Sequence, residues 1–386
     1  MSDAALPVME AGRGAVRKAR GVPGVGRWEL GGGTIAFVVL TAGIFWYQFH
    51  RIDPGEGRLQ WANLRWGYLG FILLCLPLES VFSAVRTWIV YRTLEPSVRL
   101  WTCLKGECVN VALNTLTPSH LGGGPGQVYI FSREGVPAGR ALTASLLSFV
   151  GTMVGLLCLG LYSMLVPSTD ALRPLFEATG WTLGAISSAM MLAALAPGVF
   201  RIALACIART FGGLGTGRQA LRDWWPPEDP RTGPPAAQMG PLTGRLADLI
   251  YAYHADVRRF FRAARASVVL VCLLGVAFLM ARAFLAYLCL RFLGVDASSM
   301  RHILEVQMAL IFLVFFAPTP GGAGLAEGAS LALMGGIVPV AVAPYYNLLW
   351  RLSTVYAGTM FGLCVLARAV WEDTGGLIRR RPDKGE

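Results

Sequence analysis

Charge is what this chain has least of. Asp, Glu, Lys and Arg make up 15% of its 386 residues, against about 25% in an ordinary soluble domain. Histidine is down to four, and no two stand at metal-ligand spacing near a cysteine. The cysteines (75, 103, 108, 158, 206, 272, 289 and 364) all lie in or beside apolar runs. Cys103 and Cys108 are separated by four residues, too far for CxxC chemistry, and the set reads as buried free thiols. His302 and Glu305 form a lone HxxE, and the glycines of 212–219 (GGLGTGRQ) lack the Lys and Ser/Thr of a phosphate loop. No nucleophile triad or carboxylate pair stands out. A disordered chain, a disulfide scaffold and a solvated enzyme are poor fits, and no catalytic residue, metal or cofactor is expected.

What the chain has is apolar mass. Hydrophobic residues reach 54% and mean hydropathy is +0.53, so the expected fold class is all-α, a polytopic membrane helical bundle. A spanning helix needs about 20 mainly apolar residues. Six runs qualify: 31–49, 67–91, 141–166, 181–206, 267–290 and 343–367. The net charge of +11 is read as a topology signal and not as a nucleic-acid footprint, because cytoplasmic loops retain Lys and Arg. Arg13, Arg17, Lys18, Arg20 and Arg27 place the N-terminus inside. Counting spans from there puts the arginine-rich segments 92–140, 207–266 and 368–386 inside as well. Both termini are therefore expected in the cytoplasm, at the inner (plasma) membrane.

Two apolar stretches are too short to span. Residues 108–117 and 306–317 would reach about 15–18 Å as helices, and each ends in a breaker, TPSHLGGGPG at 117–126 and PTPGGAG at 318–324. Such a segment reads as a re-entrant loop, which survives at membrane depth only inside protein or beside a wet cavity. The re-entrant segments are set at 106–131, opening from the cytoplasm, and 303–338, opening from outside. Their turns comprise Pro118, Gly122, Gly123 and Gly124 in the first, and Pro318, Pro320, Gly321, Gly322 and Gly324 in the second.

The chain also matches itself. Val85-Arg86-Thr87-Trp88-Ile89-Val90-Tyr91 has the form of Ala281-Arg282-Ala283-Phe284-Leu285-Ala286-Tyr287. Gly151-Thr152-Met153 with Gly155-Leu156 matches Gly358-Thr359-Met360 with Gly362-Leu363. Matches in the same order, in halves of opposite orientation, describe an inverted-topology repeat, a plan of membrane transporters. The expected organisation is a basic tail (1–30), a first membrane half (31–206), a Pro/Gly/Arg-rich linker (207–245), an interfacial helix with the second half (246–367), and a tail (368–386). Residues 246–265 carry an apolar stripe flanked by Arg258, Arg259, Arg262 and Arg265, a basic amphipathic helix for the inner membrane surface.

The remaining chemistry is charge inside the membrane. An arginine at mid-span costs about 2.5–3.5 kcal/mol on insertion scales, so Arg282 and Arg351 should face the bundle interior. Arg86, nearer its helix end, either joins them or snorkels to the surface. Glu79, Glu107, Glu305 and Glu327 are possible ion-pair partners. Guanidinium groups grip phosphate bidentately, and half-helix N-termini after the glycine turns would add N–H donors to the same anion. A structural ion pair is the alternative reading of the same arginines.

Pro318-Thr319-Pro320-Gly321-Gly322-Ala323-Gly324-Leu325-Ala326-Glu327, followed by Arg351 and Tyr356, resembles the signature of flippase-like integral membrane proteins related to the membrane domain of lysylphosphatidylglycerol synthases. Asn114, Pro118 and glycines 122–124 resemble that family's first-half motif, and the likeness covers roughly 67–367. Two positions depart from it: Gln127 stands where an acid is expected, and no Glu-Arg pair occurs around Ser148–Val150. No aminoacyl-transferase domain follows the last span, so lipid lysylation is not expected of this chain alone. The resemblance implies a flippase or transporter moving an anionic phospholipid or lipid-linked precursor between leaflets. The substrate-binding set is Arg86, Asn114, Arg282, Glu327, Arg351 and Tyr356. Membrane lipids, and envelope-synthesis enzymes, are the expected partners. An intramembrane lipid transferase and an accessory scaffold of an envelope-synthesis complex are the alternatives.

Overall fold

A computed structural model describes residues 27–50, 61–117, 122–165, 173–195, 241–263, 265–296, 300–315 and 317–378. The described residues are helical and contain no strand. Hydrocarbon leaves a backbone few other choices, since every N–H and C=O must be satisfied within its own segment. In chain order the helices are α1 (Arg27–His50), α2 (Gly67–Leu94), α3 (Leu100–Leu116), α4 (Gly123–Arg133), α5 (Ala138–Leu165), α6 (Arg173–Leu195), α7 (Pro241–Ala263), α8 (Arg265–Phe292), α9 (Met300–Phe315), α10 (Leu325–Met334), α11 (Ala343–Arg351) and α12 (Ala357–Ile378).

Among these residues five stretches are long and apolar enough to cross a membrane: Gly31–His50, Gly67–Leu94, Ala138–Tyr162, Arg265–Phe292 and Ala343–Asp373. Six were expected. The difference falls at 181–206, where α6 begins earlier, at Arg173, and is described only to Leu195. The last stretch joins α11 to α12 through a π-helical turn, Leu352–Tyr356. Ser353 Oγ donates to the Leu349 and Trp350 carbonyls and Thr354 Oγ1 to that of Trp350, so hydroxyls compete for the carbonyls that an α-helix would use.

The short segments form two broken helical hairpins. In the first, α3 starts at Leu100, eight residues before the expected 108–117, and its Lys105 pairs with Glu134 at an exposed end of the hairpin. The chain returns in α4; Pro118 lies outside the described residues. In the second, α9 is followed by the turn Pro320–Gly322 and returns in α10. The tips of the hairpins meet. A Cβ on Gly321 would stand 2.9 Å from both the Phe37 ring of α1 and Thr115 Cγ2 of α3, and Gly33 of α1 lies directly on the Leu116 carbonyl. Glycine is required there because the crossing leaves no room for a side chain.

Turn chemistry differs between the hairpins. Gly321, Gly322 and Gly324 have φ of 58°, 67° and 91°, a region that L side chains avoid. Gly122 and Gly123 have no such need and are glycine for space, since a Cβ would press on Thr117 and Asn114 respectively. At Gly124 a Cβ would meet nothing within 4 Å, so space does not require glycine there.

The repeated glycine motifs both make close helix crossings, on different partners. Gly151 and Gly155 of α5 cross α8 at Val271 and Gly275, whereas Gly358 and Gly362 of α12 cross α3 at Val111 and Cys108. α2 and α8, which carry Arg86 and Arg282, pack side by side. Linker residues 207–240 lie outside the described residues, and α7 begins at Pro241. Along 253–260 the apolar face of α7 packs on protein: Tyr253, Val257 and Phe260 are buried in a cluster with Tyr91, Val136, Ala141 and Leu147. Arg258, Arg259, Arg262 and Arg265 point outward and are exposed.

Candidate functional site

The second break is held by one ion pair. Arg351, the last residue of α11, sends Nε to 2.7 Å from Glu327 Oε1, and both side chains are almost fully buried. The N–H is not aligned on that oxygen, so the contact is Coulombic rather than a directed hydrogen bond. Arg351 Nη2 donates to the Gly321 carbonyl at 2.8 Å, and Gly324 N–H donates to Glu327 Oε2 at 2.8 Å. Thus the arginine reads the turn and its carboxylate caps α10. Tyr356 offers its ring face to the guanidinium, 5.7 Å from the centroid, on the far side of the π turn. A neutral network adjoins: Ser330 Oγ donates to Asn347 Oδ1 at 2.6 Å, and Gln307 Nε2 donates to Tyr346 at 3.2 Å.

The first break is held without charge. Thr117 Oγ1 accepts from Gly122 N–H at 2.8 Å while donating to the Leu113 carbonyl, and Asn114 Oδ1 accepts from Gly123 N–H at 2.9 Å. Asn114 Nδ2 in turn donates to Asn110. Gly122 and Gly123 N–H at the first break and the N-cap Gly324 N–H at the second are therefore taken by side chains of their own hairpins, which leaves the other first-turn N–H groups as the donors an anion would meet.

A second charged cluster lies between α2, α3, α4, α5 and α8. Arg282 Nη1 donates to Glu79 Oε1 at 3.0 Å, and Glu79 sits just past Pro77 within α2. Arg86 does not snorkel; it is 5% exposed. Its Nη1 donates to Thr152 Oγ1 at 2.8 Å and its Nη2 to Ser83 Oγ at 3.0 Å. The Phe278 ring lies 5.7 Å from the guanidinium, and Arg86 Nε has no partner among the described residues. Glu107 of α3 interacts with Ser83 and feels both Arg86 and Glu79, while Gln127 Nε2 donates to its Oε2 at 3.5 Å.

Of the six residues assigned from sequence, Glu327, Arg351 and Tyr356 come together at the second break. Arg86 and Arg282 lie in the other cluster, and Asn114 caps the first turn. Ser83, Thr152 and Glu107 belong to the Arg86 cluster and were not singled out as site residues. Glu107 has a sequence signal, an acid inside an apolar run, but the two hydroxyls have none, because Ser and Thr are ordinary in membrane helices.

Exposed ion pairs tie both ends of the bundle. Arg65 grips Asp296 through both Nη atoms at 2.9 Å, and Arg291 joins them at 2.6 Å. These partners hold the Asp296 carboxyl below its ordinary range, chiefly through the hydrogen bond from Arg65. At the other end Arg133 pairs with Asp373 and Glu372 at 3.0 and 3.2 Å, and Arg140 pairs with Glu95.

Broken hairpins meeting tip to tip, with a buried arginine–glutamate pair across one break, agree with a family match over residues 34–362, described as the lysylphosphatidylglycerol synthase TM region. The chain belongs to that family. It is a multi-pass integral membrane protein of a kind associated with lipid synthesis or transfer. Comparison with curated proteins and with solved structures gives no match.

Proposed function

We propose that this protein moves an anionic phospholipid or lipid-linked precursor between leaflets of the plasma membrane, with its arginine-rich end in the cytoplasm. One observation carries the reading. Arg86 is a buried guanidinium held only by hydroxyls, with no carboxylate within ion-pair distance among the described residues, whereas the buried Arg351 and the half-buried Arg282 are both paired. A cation kept in that state is poised for an anion that comes and goes. Arg282, partly exposed beside Glu79, is the second headgroup contact in this scheme. Arg351, Glu327 and Tyr356 act at one remove, by holding the second break, because the guanidinium is already committed to Glu327 and the Gly321 carbonyl.

The orientation is supported by the exposed arginines of α7 together with the loop charges, since such residues stay on the cytoplasmic side. The test is leaflet exchange of fluorescent phosphatidylglycerol in proteoliposomes, with fluorescent phosphatidylcholine as control. The protein is expected to exchange the anionic lipid faster, and Arg86→Gln to remove that preference in folded, inserted protein. Exchange of neither lipid, with native precursor lipids also supplied, overturns the reading. The family description itself favours a second one, a membrane partner in lipid synthesis. Co-purification of a lipid-modifying enzyme with a chain inactive in exchange is the result that selects it.

A further inference from the structure

Of the glutamates inside the bundle, Glu79 touches Arg282 at 3.0 Å, Glu327 touches Arg351 at 2.7 Å and Glu305 lies 3.7 Å from His302. Glu107 touches no cation among the described residues. Its nearest one, Arg86, is reached through Ser83, whose hydroxyl accepts from Arg86 Nη2 and interacts with the carboxylate. Gln127 gives it only a long contact of 3.5 Å. A carboxylate placed this way can gain a proton without breaking a direct ion pair, whereas Glu79 and Glu327 cannot. The partner guanidinium is equally uncommitted, with Nε free and its other contacts made to hydroxyls, which accept from arginine without neutralising it.

We propose that Arg86 and Glu107 form a proton-linked anion site, in which a phosphodiester headgroup takes over the Arg86 guanidinium as Glu107 takes up a proton. The site holds one net charge balance throughout. With the headgroup absent, the Glu107 carboxylate offsets Arg86 across Ser83. With it present, the phosphodiester offsets Arg86 and the proton, drawn from water, neutralises Glu107. When the headgroup leaves, the proton returns to water and no bond in the lipid is broken. Linkage makes the exchange reciprocal: the anion raises the proton affinity of Glu107, and the proton raises the affinity for the anion.

The groups that set this balance come from several helices. α2 presents Glu79, Ser83 and Arg86; α3 itself adds Cys103 and Cys108, and α4 adds Gln127. α5 supplies Thr152, α8 supplies Arg282 through Glu79, and α12 meets α3 at Gly362. By Coulomb's law a neighbouring carboxylate such as Glu79 favours the neutral form of Glu107, and a neighbouring guanidinium such as Arg86 opposes it. An anion on Arg86 removes the opposing influence, which is the physical origin of the coupling.

The choice of a lipid headgroup rests on the transport reading, but the test does not require transport. The full chain in detergent is titrated calorimetrically with dihexanoylphosphatidylglycerol in buffers of different ionisation enthalpy, which reports the protons taken up per ligand bound. Dihexanoylphosphatidylcholine and dimethyl phosphate are the other arms. The expected result is uptake approaching one proton per phosphatidylglycerol at the alkaline end of the range, with affinity falling up to tenfold per pH unit there. Glu107→Gln should bind with no linked proton and no such pH dependence, and Arg86→Gln should lose the phosphatidylglycerol affinity. Phosphatidylglycerol binding without proton uptake in the unaltered protein overturns the proposal and leaves the transport reading standing. Uptake that survives in Glu107→Gln overturns it as well. Equal binding of the two lipids overturns both, and uptake with dimethyl phosphate but not with the lipid overturns the headgroup assignment.

Discussion

Consider removing one partner of the Arg351–Glu327 pair. The two side chains are 1% and 0% exposed, and three contacts of 2.7–2.8 Å depend on them. Glu327→Gln leaves a buried guanidinium without a counter-charge, and Arg351→Met leaves a buried carboxylate and an orphan Gly321 carbonyl. Each single change should cost about 3–5 kcal/mol, the usual toll of stranding one buried charge. At about 2–4 °C per kcal/mol, the thermal midpoint should fall by roughly 6–20 °C. The double variant strands no charge. Its introduced amide oxygen can still accept from Gly324 N–H, and the methionine fills the space of the arginine stem. Only the Gly321 carbonyl loses its donor, at about 1–3 kcal/mol. The sum of the singles should then exceed the double by about 3–9 kcal/mol. Arg351→Lys should fall between, because one ammonium cannot serve both Glu327 and Gly321 in the arginine geometry. Thermal unfolding of the four proteins in one detergent, followed by tryptophan fluorescence, measures the cycle. Additive costs, with the double as unstable as both singles together, would refute the claim that this pair holds the break.

Three further outcomes are expected. Gly322→Val should lower stability and lipid exchange far more than Gly335→Val. Gly322 has φ of 67° and a Cβ would meet Val314 Cγ1 at 2.9 Å, whereas Gly335 has φ of −60° in the right-handed helical region; comparable tolerance at both sites would remove the case for a strained turn. In a cysteine-free background, Ser97→Cys and Val340→Cys, both exposed, should be labelled from opposite sides of sealed vesicles. His254 of α7 has its pKa lowered, first by burial and then by Arg258. The undocked form therefore binds a proton near the ordinary value of about 6.5 while the docked form still resists. Docking is at full strength above that pH and weakens as pH falls below it. Protease cleavage within α7 should rise on acidification through this range, and His254→Asn should flatten the response.

Spans, breaks and hairpins were legible because they depend on local composition. A run of apolar residues crosses, a proline–glycine cluster stops it, and neither needs knowledge of the rest of the chain. The glycine turn at 321–324 was readable for the same reason. The start of α3 at Leu100 was not, since Lys105 and Glu107 interrupt the apolar pattern there. Nor could sequence tell that Gly122, Gly123 and Gly324 N–H are already taken by side chains, although Asn114 and Glu327 sit at suggestive offsets.

By itself, then, the sequence determined the solvent of this protein, its helical class, the two interruptions and the arginines that must face inward. Tertiary structure alone decided what each arginine meets. Arg351 and Arg282 find carboxylates 24 and 203 positions away along the chain, while Arg86 finds hydroxyls from α2 and α5 and leaves Glu107 one serine distant. It also sent two similar glycine motifs to unlike partners, and packed Tyr253, Val257 and Phe260 of α7 onto protein. The reason is physical. Hydropathy is a property of each segment and survives any arrangement of the bundle, but compensation of a buried charge is a property of pairs, fixed only when helices distant in sequence pack together.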